Sequence, residues 1–245
     1  MIGLGTLINV LAIVLGATVG VLIGNRLPER TRSTVTDALG LITLVIGAVN
    51  VVAIMDTDFV AVVGSSWTLL VVLGAVVIGG VMGSLLRIES RLESFGGWLQ
   101  RRLSRDTSSE AQERFIEGFV TSSLLFCIGP LAILGSLNDG LGNGIEQLTL
   151  KSSLDLFAAL AFAASLGWGV ALSAVPVGIW QGLLTVAGVA AGTLLPTALI
   201  ASITATGGIL LLGIGLRLLN IRQVPVGDLL PALVIAPVLT SLFLL

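Results

Sequence analysis

Residues 5–24, GTLINVLAIVLGATVGVLIG, carry no charged side chain. As a helix that run is about 30 Å long, the thickness of a bilayer's hydrocarbon core. Eight segments read as candidate spans: 3–25, 35–55, 67–87, 115–137, 154–174, 176–195, 200–219 and 227–245. Pro176 marks the turn between the fifth and the sixth. A seven-span arrangement results if the last segment is re-entrant. Only 11% of the residues are charged, against roughly 25% in soluble domains, so the chain cannot clothe itself in a polar surface. The predicted fold is all-α: one polytopic transmembrane helix bundle over 1–245. No Lys or Arg precedes the first apolar run, so it reads as a retained helix rather than a cleavable signal.

Basic residues orient the spans. Arg26, Arg30 and Arg32 fall in the first loop; Arg87, Arg91, Arg101, Arg102, Arg105 and Arg114 fall in or beside the third; Arg217 and Arg222 follow the seventh span. With eight spans these loops share one side, and Lys151 alone falls opposite. The positive-inside rule then makes loops 26–34, 88–114 and 217–226 cytoplasmic and both termini external. The expected location is the cell (inner or plasma) membrane, with the lipid bilayer as the main partner. In the third loop Ile88, Leu92, Phe95, Leu99 and Leu103 recur at helical spacing beside Trp98, with Glu89, Glu93, Gln100 and Arg101 opposite. This predicts an amphipathic interfacial helix over 88–105. Ser109 and Gln112 follow at capping-box spacing.

The chain also repeats itself. Residues 17–48 align without a gap on 185–216, and ten positions match, among them Gly20/Gly188, Gly24/Gly192, Pro28/Pro196, Thr36/Thr204, Gly40/Gly208 and Gly47/Gly215. In the predicted topology the copies enter the membrane from opposite sides. Inverted copies of this kind underlie alternating access in many transporters. The shared Gly-x-x-x-Gly pattern also brings helices into close contact, within a chain or between copies of it.

Polar residues inside apolar spans are costly and call for a reason. Asn9 and Asn50 lie in the outer parts of spans one and two. Lys151 and Asp155, four residues apart, share a helix face at the predicted start of span five, where they read as a pair near the interface. Thr121, Ser122 and Ser123 lie on span four, and Ser173 and Gln181 belong to the sixth region. Span four is interrupted by Gly129-Pro130. A proline there has no N–H for the Phe126 carbonyl; glycines, asparagines and an aspartate crowd residues 135–144, and the span is expected to end at 137. Asn138, Asp139 and Gly140 then cap an outer mouth. Amide, hydroxyl, carboxylate and carbonyl oxygens together suit a cation or a small polar solute.

No enzyme is expected. There is no histidine, no GxSxG and no phosphate-binding glycine loop. No cofactor or metal site is read from the residues. The net charge of −2 gives no footprint for nucleic acid. Cys127 reads as core packing.

SLLFCIGPLAILGSLNDGLGNG, then LTLKSSLDLFAALAFAASLGWGVALSA, then a Gln-Gly pair in span six, resemble the bacterial YdfK/YqgA-like integral membrane proteins, a domain-of-unknown-function family. The likeness covers nearly the whole chain. It implies a polytopic inner-membrane protein and singles out Gly129, Pro130, Asp139, Gly140, Lys151, Ser152, Asp155 and Gln181. A fainter likeness runs to manganese-exporter and amino-acid-exporter proteins, through SSLDLFAALAFAASLG and GGILLLGIGLRLL. It departs in helix count and lacks a second aspartate deep in a span. The expected function is a secondary transporter or channel-like permease for a small ion or polar solute, working around the broken fourth span. The competing expectation is a non-transporting oligomeric scaffold or sensor that uses the amphipathic helix.

Overall fold

The computed structural model describes residues 2–24, 28–92, 94, 98, 109–127, 130–191 and 196–244. Among them the regular elements are all helices. In chain order these are α1 (Leu4–Gly24), α2 (Glu29–Val51) with a 3-10 extension Val52–Met55, α3 (Thr57–Val63), α4 (Trp67–Leu86), α5 (Ser109–Cys127) and α6 (Pro130–Gly140). Then follow α7 (Glu146–Leu166), α8 (Gly169–Leu172), α9 (Ala174–Ala191), α10 (Thr197–Leu218), a 3-10 turn Val226–Leu229 and α11 (Ala232–Ser241).

Six stretches are long and apolar enough to cross a membrane, and a seventh results if α5 and α6, bent by 61° at their junction, count as one span. The chain is a multi-pass membrane protein. The predicted eighth span is the exception: the apolar helical stretch there, Val226–Ser241, which contains Pro237, is shorter than the roughly 20 residues a crossing needs.

Three local expectations are corrected. α6 runs on to Gly140, three residues past the expected end of span four, with the Ser136 hydroxyl folded onto the Ala132 carbonyl of its own helix. Pro130 stands at the first position of α6, where a missing N–H is harmless. The turn between spans five and six is made by Gly167, at φ +80°, a conformation that glycine adopts freely. Pro176 instead lies in the first turn of α9. The fifth helix therefore starts at Glu146, eight residues earlier than expected. Of the predicted amphipathic segment, residues 88–92, 94 and 98 are helical; the rest, Phe95, Leu99 and Leu103 included, lies outside the described residues. So do Arg26, Gly192 and Gly129, and nothing is described of the Ser109 side chain.

The helices group into two compact units, each assembled from separate pieces of chain. The first holds Met1–Leu39, Glu93–Cys127 and Leu131–Leu194; the second holds Gly40–Leu92, Ile128–Pro130 and Leu195–Leu245.

In the first unit α1 turns its small residues inward. Gly5, Asn9, Ala12, Ile13, Gly16, Ala17, Gly20, Val21 and Gly24 are buried, while Leu7, Leu11, Leu15 and Leu22 are exposed. That is the pattern of a helix with lipid on one side and backbone contact on the other. A Cβ on Gly16, Gly20 or Gly24 would collide with the carbonyl oxygens of Leu156, Leu160 and Ala164 respectively. The numbers rise together, so α1 and α7 run parallel.

In the second unit the C-terminal half of α2 lies on α10 through glycines. A Cβ on Gly47 would meet Gly208 and Leu212, and one on Gly215 would meet Leu44 and Gly40. One on Gly208 would meet Gly47 and Val51, and one on Gly40 would meet Leu219. Adding 168 to the first-copy numbers turns Gly40, Leu44, Gly47 and Val51 into 208, 212, 215 and 219. Each contact thus maps onto its mate with the roles exchanged, as antiparallel packing of α2 on α10 requires. The same unit packs Phe59, Val63, Val71, Val72, Ala198, Ala201 and Ala205 into one apolar cluster. Asp56 caps α3 by accepting from the N–H groups of Asp58 and Phe59, both at 3.1 Å.

Candidate functional site

The first unit concentrates buried polar side chains on four packed helices, α1, α5, α7 and α9. Lys151 and Asp155 face one way on the second and third turns of α7 and form an ion pair through Nζ and Oδ2. Their side chains are 7% and 9% exposed. The pair is therefore buried inside the unit. The Lys151 ammonium also stands 5.8 Å from the centre of the Phe126 ring, within cation–π range. Phe126 is itself buried, so a face of α5 closes over the pair.

Asn9 comes from α1. It is wholly buried, and its amide bears on the Asp155 carboxylate. Yet neither its oxygen nor its nitrogen completes a hydrogen bond of normal geometry. Gln181 of α9 is also wholly buried, and neither of its polar atoms has a partner. The hydroxyls of Thr6, Ser122 and Thr185 are in the same condition. A buried amide or hydroxyl without a partner costs on the order of 1–3 kcal/mol, so five such side chains in one unit are an expensive arrangement.

The packing shows that they share one level. A Cβ on Gly178 would lie 3.0 Å from Val10 on α1. Ten residues further along α9, a Cβ on Gly188 would meet the Leu137 carbonyl, and Gly140 abuts the Thr185 carbonyl. Asp139, beside Gly140, accepts hydrogen bonds from the N–H groups of Gly3 and Gly5 at 3.0 and 3.1 Å. So α9 runs antiparallel to α1, from the level of Val10 to the level of Gly5. Gln181 and Thr185 lie on this stretch, alongside Thr6 and Asn9. Ser122 is four residues before Phe126 and so shares the face of α5 that meets Lys151.

The remaining sequence candidates divide. Asp139 is spoken for: it caps the N-terminus of α1 and does not stand as a free carboxylate at a mouth. Asn138 is likewise tied, donating to Gln147 Oε1 at 3.0 Å. Ser152 is buried but gives its hydroxyl to the Leu148 carbonyl at 2.6 Å. Asn50 is half-buried on the part of α2 that belongs to the second unit. Gly129 lies outside the described residues, and Pro130 opens α6. Thr6, Phe126 and Thr185 were not singled out by the sequence reading. The signal was there for two of them: Thr6 lies three residues from Asn9, and Thr185 lies four from Gln181.

Comparison with known proteins agrees with the helical, membrane-embedded design. Two bacterial proteins are similar over most of their length. YqgA of Escherichia coli K12 is 33% identical over 218 residues, which cover 88% of this chain and 86% of YqgA. YdfK of Bacillus subtilis 168, described as a membrane protein, is 28% identical over 212 residues, 86% of this chain and 84% of YdfK. No solved structure matches the chain. The family model for DUF554, described as a protein of unknown function, matches residues 4–241, and the chain belongs to that family.

Proposed function

We propose that the protein is a secondary transporter or channel-like permease for a small ion or polar solute, with its translocation site in the first unit. One observation carries this reading. Gln181, wholly buried on the apolar α9, has no partner for either polar atom among the described residues, and Asn9, wholly buried on α1, bears on the carboxylate of a buried ion pair. Polar groups at that depth are retained for a use, because a structural role would have paired them.

Helix directions support the transport topology. With α1 taken as the first crossing, a parallel α7 must be an odd-numbered one. It is the fifth if the bent α5–α6 pair crosses once, and the fourth if that pair is re-entrant. Antiparallel α9 then becomes the sixth crossing. The antiparallel packing of α2 on α10 supports the inverted-repeat reading, in which two packings of like elements alternate around one site. The 61° bend between α5 and α6 supplies the broken fourth span.

The test is flux through proteoliposomes holding purified protein, measured for a panel of ions and small solutes, with Gln181→Leu and Asp155→Asn alongside. Solute-dependent flux lost in both variants is expected. A well-folded protein that moves nothing across the panel sinks the reading.

A further inference from the structure

We infer that the ligand held among Asn9, Lys151, Asp155 and Gln181 is a small solute of zero net charge that both donates and accepts hydrogen bonds, not a bare cation. This deepens the proposed function and rests on it for the location of the pathway.

Charge comes first. Lys151 and Asp155 carry opposite charges and are paired with each other, and the other buried carboxylate of this unit, Asp139, is engaged by two N–H groups. Among the described residues the buried carboxylates of this unit are Asp155 and Asp139, and both are already engaged, so neither is free to neutralise an arriving cation. An added ion would be a net charge in a buried site, the situation that proteins avoid most strongly.

The hydrogen-bond inventory points the same way. An asparagine or glutamine side chain offers two N–H donors and one carbonyl acceptor, and an ammonium offers donors alone. A cation would use the amide oxygens of Asn9 and Gln181 and strand their N–H groups beside the Lys151 ammonium. An anion would strand the amide oxygens and meet the Asp155 carboxylate. A solute with both kinds of group, either an uncharged amide or a zwitterion, satisfies both. The Ser122 and Thr185 hydroxyls, able to donate or accept, complete such a set. A zwitterion would open the Lys151–Asp155 pair and take one partner at each end; an amide would leave it closed.

The experiment measures the unfolding temperature of detergent-purified protein against rising acetamide, glycine, sodium chloride or choline chloride, with Gln181→Leu and the milder Gln181→Asn beside the wild type. The expected result is a saturable rise with acetamide or glycine, with an apparent affinity at least about tenfold weaker in Gln181→Leu. A response to glycine that vanishes in the double variant Lys151→Met/Asp155→Leu assigns the zwitterion; one that persists for acetamide assigns the amide. A saturable rise with sodium but not choline, lost in Gln181→Leu, overturns the inference, as does the absence of any rise with the uncharged probes. The two readings fail separately. Stabilisation without flux leaves the ligand class and removes transport; Gln181-dependent sodium flux leaves transport and removes the ligand class.

Discussion

Among the described residues an ion pair stands in each unit, and these two pairs are built differently. In the second unit Arg217 at the end of α10 binds Glu89, and both are tied into further hydrogen bonds. The second Glu89 oxygen accepts from the Gly227 N–H, Arg217 also reaches the Val224 carbonyl at 3.4 Å, and the Glu89 N–H donates to Asp228 at 2.9 Å. In the first unit Lys151 and Asp155 are more deeply buried, yet on the helices packed around α1 and α5 Gln181, Ser122 and Thr185 leave polar atoms unpaired. A saturated network fastens: it pins residues 88–92 to the end of α10. An unsaturated one is maintained at a cost to stability, which is what a binding site does.

Four substitutions test that contrast. Asp155→Asn leaves the Lys151 ammonium buried without its counter-charge and should destabilise the fold by about 3–5 kcal/mol, as well as abolish flux. Denaturant titration and a proteoliposome assay measure the two losses. A variant as stable as the wild type would mean that the pair is hydrated and the contrast is wrong. Glu89→Gln should cost about 1.5–3 kcal/mol, the range for hydrogen bonds to a charged group, and leave the substrate profile of any flux unchanged. An altered profile would make the second pair part of the pathway. Gln181→Leu should go the opposite way in stability, gaining about 1 kcal/mol or more by removing unpaired polar atoms, while transport disappears. A destabilised Gln181→Leu would show that the amide has a structural partner. Asp139→Asn should cost about 1 kcal/mol, as expected for a weakened helix cap, with transport retained; loss of transport there would restore Asp139 to the site.

Much of the first unit was legible in the sequence. The small-residue face of α1 and the spacing of Lys151 and Asp155 follow from helical periodicity alone, and Asn9 and Gln181 stand out by their cost in an apolar run. What escaped was decided by contacts distant in sequence. Asp139 looks like a free carboxylate until the start of α1 arrives to occupy it from more than a hundred residues away. The boundary of α7 was misjudged because Glu146–Ser153 is polar enough to resemble a loop, although its side chains bond back to their own helix, as Ser152 does. The second unit's ion pair was missed for a related reason. Glu89 sits on the polar face of an amphipathic pattern, and polar faces are ordinarily solvated.

The seam between α2 and α10 has a further consequence. Where Gly47 and Gly208 meet, each lies against the other's carbonyl oxygen and the touching surfaces there are main chain, with few rotamers to reset. Interlocked side chains must unlock together before two helices can move past each other, and that makes their packing a switch with discrete positions. A seam of main chain has fewer such detents. It behaves as a bearing, on which small rotations of one helix against the other meet little steric resistance.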